Sequence, residues 1–438
     1  MPTLDPQGAS SPRKLSLYAL EKIEKGGYSN IIISDVLAKN SLEDKDRALF
    51  SALVKGVVER KITLDYIIES LSSFPLSKID TDAMQVLRIG IYQLLYMDSV
   101  PKYAAVNECV ALSRKRSKGF VNAILRTFIR NECRYKLPPD PIKRISVEFS
   151  APTSLVKRFI SVFGEERAVA ILKETLKKRY TDICVNTIKT DVDTFVCKLK
   201  AHGYHAETGK LSPFCVKTDA PYYFLDKCFA GCFLAMDEAS QLCGVSLGVG
   251  EGDSLLDTCS APGGKSYVAS MCMNNKGSIL SSDLHASKLS LIRSGAERLG
   301  ISIIQTREAD AREYCPEMLM AFDCVLCDVP CSGLGVIGGK PEIKYKSIDE
   351  FSSLPKIQYD ILCTSSKYVR KGGTLVYSTC TVLPEENENN VKKFLSEHED
   401  FYPVSFDVGE EKCDGMITLT PDVHGTDGFF IAKLKRKE

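Results

Sequence analysis

The 438 residues carry a formal net charge of +1, with 44% hydrophobic and 26% charged side chains. At roughly 100–200 residues per domain, this length implies two to four domains, enough to bury several cores without staples. No run reaches the ~18 apolar residues of a membrane span and no signal-peptide core opens the chain, so a cytoplasmic protein is expected rather than a secreted or membrane one.

Residues 1–12 read as a disordered tail, and the pattern from residue 13 to 136 is helical throughout. Phe50, Leu53, Val54, Val57 and Val58 repeat at three-and-four spacing, as do Leu87, Ile91, Leu94 and Leu95, then Val121, Ile124, Leu125 and Phe128. Residues 101–150 hold 11 Lys and Arg against 4 Asp and Glu, a basic stretch that suits phosphates as well as a solvated helix face. The breaker cluster Leu137-Pro-Pro-Asp-Pro141 marks a linker over residues 137–144. Residues 145–235 mix helices with short strands such as Asp182–Ile188 and read as a small α/β module.

From residue 236 to 438 short apolar runs alternate with helices: Ser254–Asp257, Ser278–Asp283, Ile301–Ile304, Cys324–Asp328, Thr374–Ser378 and Phe429–Ala432. Strands separated by helices imply parallel βαβ units, hence an α/β, doubly wound, Rossmann-like sheet behind the helical domain. In such a sheet the ligand lies beyond the carboxyl ends of the strands.

Acidic residues gather at those ends: Asp257, Asp283, Asp310 and Asp328. The first strand runs into Thr258-Cys-Ser-Ala-Pro-Gly-Gly-Lys-Ser266, where Gly263 and Gly264 let backbone approach a ligand and the next helix offers N–H groups to an anion. A phosphate-binding P-loop ending at Ser266 would need glycine where Cys259 stands, and the carboxylates would repel a triphosphate. They suit a cationic, nucleoside-bearing ligand, with Asp283 accepting from ribose hydroxyls and Asp310 from an adenine amino group. S-adenosylmethionine has those features.

The seventeen cysteines, about 4% of the chain, are too sparse for a disulfide scaffold and read mostly as buried thiols. Cys324, Cys327 and Cys331 have a spacing that resembles a metal site. Strand alternation, however, puts Cys324 and Cys327 on opposite faces, and no fourth ligand is evident. Metal is not expected. Cys331 and Cys380 differ from the rest, because each follows a strand at the ligand end and the two strands are candidates for neighbours.

Asp257-Thr-Cys-Ser-Ala-Pro-Gly-Gly-Lys-Ser266, Cys327-Asp-Val-Pro-Cys-Ser-Gly333 and Tyr377-Ser-Thr-Cys380 resemble the signatures of the RNA 5-methylcytosine methyltransferases. The likeness is to the Sun-type branch, which acts on 16S ribosomal RNA, and it spans nearly the whole chain. Residues 15–132 resemble the NusB domain, and 145–235 resemble the family's RNA-binding module. The resemblance implies that Cys380 is the nucleophile and that Cys331 helps release the product. It also implies that Cys259, Ser260, Ala261, Pro262, Gly263, Gly264, Lys265, Asp283 and Asp310 hold S-adenosylmethionine, and that Asp328 contacts cofactor or base. The partner it implies is RNA, with transfer RNA as the alternative substrate. At Val336-Ile-Gly-Gly-Lys-Pro-Glu342 glycines 338 and 339 replace the family's basic residues, leaving Lys340 and Lys344 as candidate RNA contacts. A non-catalytic RNA-binding protein would need only the helical domain and would leave Cys331, Cys380 and the acidic strand ends without a purpose. Oligomeric state is not read.

Overall fold

Ser11 accepts the N–H of Lys14 and Pro12 occupies the first turn, so helix α1 (Pro12–Glu24) begins inside the expected tail. The computed structural model describes residues 11–177 and 180–438, and the rest of that tail lies outside them. The chain forms two units. One comprises the chain up to Leu176 plus Ile337–Lys346; the other comprises Lys177–Val336 and Ser347–Glu438.

The first unit is helical. After α1 come α2 (Ser29–Lys39), α3 (Asp44–Glu59), α4 (Lys61–Leu71), α5 (Thr81–Tyr96), α6 (Lys102–Leu112) and α7 (Lys118–Arg130). Phe50, Leu53, Val54, Val57, Val58, Leu87, Ile91, Val121, Ile124, Leu125 and Phe128 are all buried in its core, with Leu94 and Leu95 packed partly buried against it. The buried Arg88 holds α4 and α1 to α5 through Asp65 at 2.7 Å and Glu24 at 3.1 Å. Gly90 lets α5 approach its neighbours: a Cβ there would lie 2.8 Å from Leu125 Cδ2 and 3.3 Å from Cys109 Sγ.

Three more helices belong to this unit: α8 (Pro141–Phe149), α9 (Thr153–Phe163) and α10 (Glu165–Glu174). Asp140 caps α8 through the Lys143 N–H and Pro141 is its first residue, so the breaker cluster ends at 140 and starts a helix rather than continuing a linker to 144. Each of these helices has one apolar stripe that requires a helical partner. Thr63 Oγ1 donates to Val147 O at 2.5 Å and Ser150 Oγ accepts the Ile62 N–H at 3.0 Å, which fastens α8 to α4. The span 145–235 is therefore divided between the two units.

Ile337–Lys346 completes the helical unit. Glu342 accepts from Ser29 N at 3.0 Å and Ser29 Oγ at 2.9 Å, at the positive end of α2. Lys344 Nζ donates to Glu59 O at 2.7 Å and Tyr345 OH to Val58 O at 2.6 Å, at the negative end of α3.

The second unit opens with an antiparallel sheet of order β2-β3-β1-β4: β1 (Thr181–Val185), β2 (Ala206–Thr208), β3 (Cys215–Thr218) and β4 (Phe233–Ala235). Helices α11 (Val192–Ala201) and α12 (Tyr222–Phe229) flank it. The alternation continues through α13 (Glu238–Ser246), β5 (Ser254–Asp257), α14 (Gly264–Cys272), β6 (Ser278–Asp283), α15 (Ala286–Leu299), β7 (Ile304–Glu308), β8 (Phe322–Asp328), α16 (Leu354–Ser366), β9 (Val369–Thr379) and α17 (Glu388–Glu397). The chain ends through β10 (Phe401–Pro403), β11 (Phe406–Val408), β12 (Glu411–Cys413), β13 (Met416–Leu419), α18 (Pro421–His424) and β14 (Phe429–Arg436).

The main sheet has the order β10-β14-β9-β8-β5-β6-β7, with β13 paired to β14. Strands β5 to β9 pair in parallel and β14 joins them antiparallel. The order reverses between β5 and β8, which makes their carboxyl ends the ligand crevice. The expected strand Ile301–Ile304 is displaced: β7 starts at Ile304 and runs through Gln305, Thr306, Arg307 and Glu308. As the outermost parallel strand it buries little, so its composition is polar and the apolar run before it misleads.

Gly90→Val should overpack the α5–α7 contact and destabilise the helical unit by about 1–3 kcal/mol. A lower urea midpoint by circular dichroism, with the second unit's transition unmoved, is the expected result.

Candidate active site

Three loops at the carboxyl ends of the parallel strands make the site. The first follows β5. Ser260 N–H donates to Ser282 O at 2.8 Å and Gly263 N–H to Ser260 O at 2.7 Å, curling the loop over β6. Gly263, at φ +108°, takes a backbone conformation that a side chain would strain. The first helical bond of α14 runs from Tyr267 N–H to Gly263 O at 2.9 Å, so the N–H groups of Gly264, Lys265 and Ser266 have no partner within the helix and form its positive end.

The side chains of Lys265 and Ser266 are committed elsewhere. Ser266 Oγ donates to Asp257 Oδ2 at 2.7 Å, and Lys265 Nζ lies 2.6 Å from Asp328 Oδ2. A triphosphate-binding loop needs both groups for phosphate and metal, so this geometry is not a P-loop. Burial lowers the Lys265 affinity for its proton, but the Asp328 carboxylate outweighs it and keeps the ammonium charged. Its Nζ also sits 4.9 Å over the Phe429 ring.

Asp257 is buried, and burial, aided by the Asp328 charge, pushes its carboxyl up to about 6 against the pull of Ser266. Its Oδ1 has no hydrogen-bond partner. Asp283 takes the Ala261 N–H at 3.3 Å and the His285 N–H at 3.0 Å. Asp310 is gripped by Arg312 through its N–H and Nε, both at 2.9 Å, and this bonding holds its carboxyl below the ordinary range. A cavity of about 270 Å³ lies beside it, walled by Thr258, Ser282, Asp310, Tyr314 and Tyr368. Cys259 belongs to the glycine loop, but its thiol is pushed far up by burial and packs in an apolar cluster with Leu256 and Val325.

The second and third loops follow β8 and β9. Asp328 pairs with Ser378 in register, and Ser378 Oγ donates to Asp328 Oδ1 at 2.7 Å. Beyond that pair the two cysteines meet. Cys331 Sγ lies 2.9 Å from Cys380 Sγ, and the Cys380 N–H donates to Cys331 Sγ at 3.2 Å. Both are thiols, not a disulfide. The hydrogen bond to Cys380 raises the Cys331 thiol well above its ordinary value, and burial adds to it. Cys324 and Cys327 join different apolar clusters, as the strand phase predicts, and burial pushes both thiols up.

Cys331, Cys380, Asp328, Asp283 and the glycine loop, all expected from the sequence, thus meet at one crevice. The Lys265–Asp328 pair and the Ser266–Asp257 bond have no signal in the sequence, because side-chain partnerships of this kind have no period. Two expected RNA contacts fare differently. Lys340 is exposed, whereas Lys344 is buried and bonded to Glu59 O. In the basic stretch Arg114 pairs with Asp82, and Arg116 with Asp80 at 3.0 Å, so part of its charge is neutralised.

Among the described residues no helix is long and apolar enough to cross a membrane. The ligand-type cluster Asp182, Cys215 and Glu238 surrounds the Lys217 ammonium, 2.9 Å from Glu238 and 3.4 Å from Asp182.

The family model for 16S rRNA methyltransferase RsmB/F matches residues 245–435, and the NusB family model matches residues 10–130. A probable ribosomal RNA small subunit methyltransferase B of Bacillus subtilis strain 168 is 37% identical, over 98% of this chain and 99% of its own. The crystal structure of PH0851 shares the fold along 99% of both chains, with TM-score 0.81 at 23% identity. A methyltransferase homolog from Pyrococcus horikoshii aligns with 68% of this chain and all of its own, at 25% identity and TM-score 0.59. By its full-length match to such a relative, the chain belongs to the ribosomal RNA small subunit methyltransferase B family, whose methyl donor is S-adenosylmethionine.

Proposed function

We propose that this chain methylates C5 of a cytosine in 16S ribosomal RNA through a covalent bond between Cys380 and cytosine C6. The observation that carries the reading is the contact of the Cys331 and Cys380 sulfurs at 2.9 Å, beside the Lys265–Asp328 pair.

The site suits S-adenosylmethionine. The positive end of α14, framed by Cys259, Ser260, Ala261, Pro262, Gly263, Gly264 and Lys265, takes the cofactor carboxylate. Asp283 takes the ribose hydroxyls and Asp310 the adenine amino group, while the charge of the buried Asp257 at the start of the loop favours a cationic ligand. When bound, the cofactor supplies an electrophilic methyl group.

C5 of cytosine is too weak a nucleophile to take that group unaided. Addition of the Cys380 thiolate at C6 makes C5 an enamine-like carbon, dividing one hard step into easier ones. After C5 is methylated, the Cys331 proton passes to the departing Cys380 sulfur, the C5 proton ends on the Cys331 sulfur, and aromaticity returns. Asp328 lines the space where cofactor and base meet. The target cytosine must be unpaired or flipped out to reach a thiol at the base of a crevice. The helical unit supplies exposed Lys115, Lys118, Arg126 and Arg130 to RNA phosphates, which makes binding salt-dependent.

Transfer of labelled methyl to unmodified 16S ribosomal RNA, followed by nucleoside analysis, tests the whole reading. Label in 5-methylcytidine at one position is expected. Label in transfer RNA instead would move the substrate, and no label in either would refute the reaction. Cys380→Ala should abolish transfer while S-adenosylmethionine affinity stays within about twofold, because the thiol acts only on the base. Cys331→Ala should accumulate a protein–RNA adduct that survives a denaturing gel.

Asp283→Ala should weaken cofactor binding about 10- to 100-fold by calorimetry, the loss expected for hydrogen bonds to a charged group. Because the Asp257 carboxyl is raised to about 6, it is protonated below that pH and ionised above. Cofactor affinity should therefore climb as pH rises through about 6, and Asp257→Asn should flatten that rise.

A further inference from the structure

The two thiols sit in contact although they belong to different loops, and the segment that holds both lies at the far end of the Cys380 loop. It is the turn Leu383–Asn387 at the head of α17, where Glu386 N–H donates to Leu383 O and Asn387 N–H to Pro384 O. Glu386 and Asn387 are 1% and 0% exposed, so neither polar side chain can be maintained by solvent.

Glu386 faces the Cys331 loop. Its Oε2 accepts the Ser332 N–H at 2.9 Å and Gln358 Nε2 at 2.8 Å, while Oε1 accepts the Ser332 hydroxyl at 2.6 Å. Gln358 Nε2 also donates to Pro330 O at 2.9 Å. Both residues flanking Cys331 are therefore held through one carboxylate and the amide bound to it. An ionised carboxylate only accepts, which matches three converging donors; an amide in its place would turn an N–H against one of them.

Asn387 faces the Cys380 loop. Its Oδ1 accepts the Thr379 hydroxyl at 2.5 Å and its Nδ2 donates to Thr381 O at 3.0 Å, so the residues flanking Cys380 are held too. The loops are then joined directly, Ser332 Oγ to Thr381 Oγ1 at 2.8 Å and Gly335 N–H to Cys380 O at 3.0 Å. Adjacent residues in one turn move together, so this turn and the direct bonds between the loops hold the sulfurs at their spacing.

We infer that Glu386 and Asn387 are the positioning residues of the thiol pair, Glu386 setting the Cys331 loop and Asn387 the Cys380 loop. Both are buried and act through the loops they hold. The inference deepens the proposed reaction and rests on it for its catalytic consequence, but the geometry can be read without RNA. The negative charge of Glu386 also favours the protonated form of Cys331.

The test is the rate at which diamide links Cys331 to Cys380, mapped by peptide mass spectrometry. Two thiols lose two protons and two electrons to the diazene, which becomes the hydrazine, and only sulfurs held together react quickly. Glu386→Gln and Asn387→Ala should each slow this linkage about 10- to 100-fold, the range expected when reacting groups lose their alignment. The kcat for methyl transfer should fall by a similar factor, with KM for RNA and cofactor unchanged.

Ser332→Ala, which keeps the N–H and loses only the hydroxyl, should give an intermediate loss and guards against a folding failure in the buried variants. Wild-type linkage rates in Glu386→Gln and Asn387→Ala overturn the positioning role. So does slowed linkage with undiminished kcat. If the wild-type chain methylates no RNA while the variants still slow the linkage, the proposed function fails and the geometric role stands.

Discussion

The bond between Lys265 and Asp328 governs the catalytic unit. It spans the point where the sheet order reverses, joining the helix after β5 to the end of β8. An ammonium taken out of water is tolerated only with a close counter-charge, and removing one partner of such a pair typically costs about 3–5 kcal/mol. Asp328 discharges a second duty through the hydroxyl of Ser378, two residues before Cys380. One carboxylate thus links the glycine loop, the Cys331 loop and the Cys380 loop. The lysine that would reach for phosphate in a triphosphatase is here structural glue, which leaves the positive end of α14 to backbone N–H groups alone.

That arrangement explains how one fold assigns different work to chemically identical groups. Thiols buried in the core, Cys243 on α13 and Cys324 and Cys327 on β8, are kept protonated by desolvation and behave as small apolar residues. Cys331 is kept protonated chiefly by a sulfur neighbour instead, so its proton has a defined destination. In the proposed reaction that is the proton that leaves with Cys380. Environments that separate the tasks of paired groups are the usual route to acid–base assignment within one site.

The legible parts of this protein were those governed by a local period. Fully buried parallel strands advertise themselves as short apolar runs, and the polar residue ending each run lies in the crevice, so Asp257, Asp283, Asp328, Cys331 and Cys380 could be placed before any coordinates. The helical core positions followed from three-and-four spacing. Where an element is polar because it lies at an edge, as in β7, the apolar marker slipped to the preceding residues. Where function depends on a partner far along the chain, sequence gave no warning. Examples are Lys265 with Asp328, Glu386 with Ser332, and Arg114 and Arg116 with the acids at 82 and 80.

The segment Ile337–Lys346 shows the cost of reading such residues by type. Its glycines look like lost RNA contacts, and its lysines like replacements. Within the helical unit a Cβ at Gly338 would lie 3.3 Å from Thr175 O, so a long basic side chain there would press on the backbone after α10. Glycine relieves that contact at position 338. Lys344 is likewise occupied with the last carbonyl of α3, and burial depresses its ammonium to about 7. Glu342 serves the first N–H groups of α2. An acid at a helix N-terminus and a base at a helix C-terminus, supplied from three hundred residues away in sequence, complete the ends that α2 and α3 cannot complete themselves. The strand of chain that leaves the Cys331 loop is thus built first for the stability of the helical unit, and charge in it is a poor guide to where RNA is held.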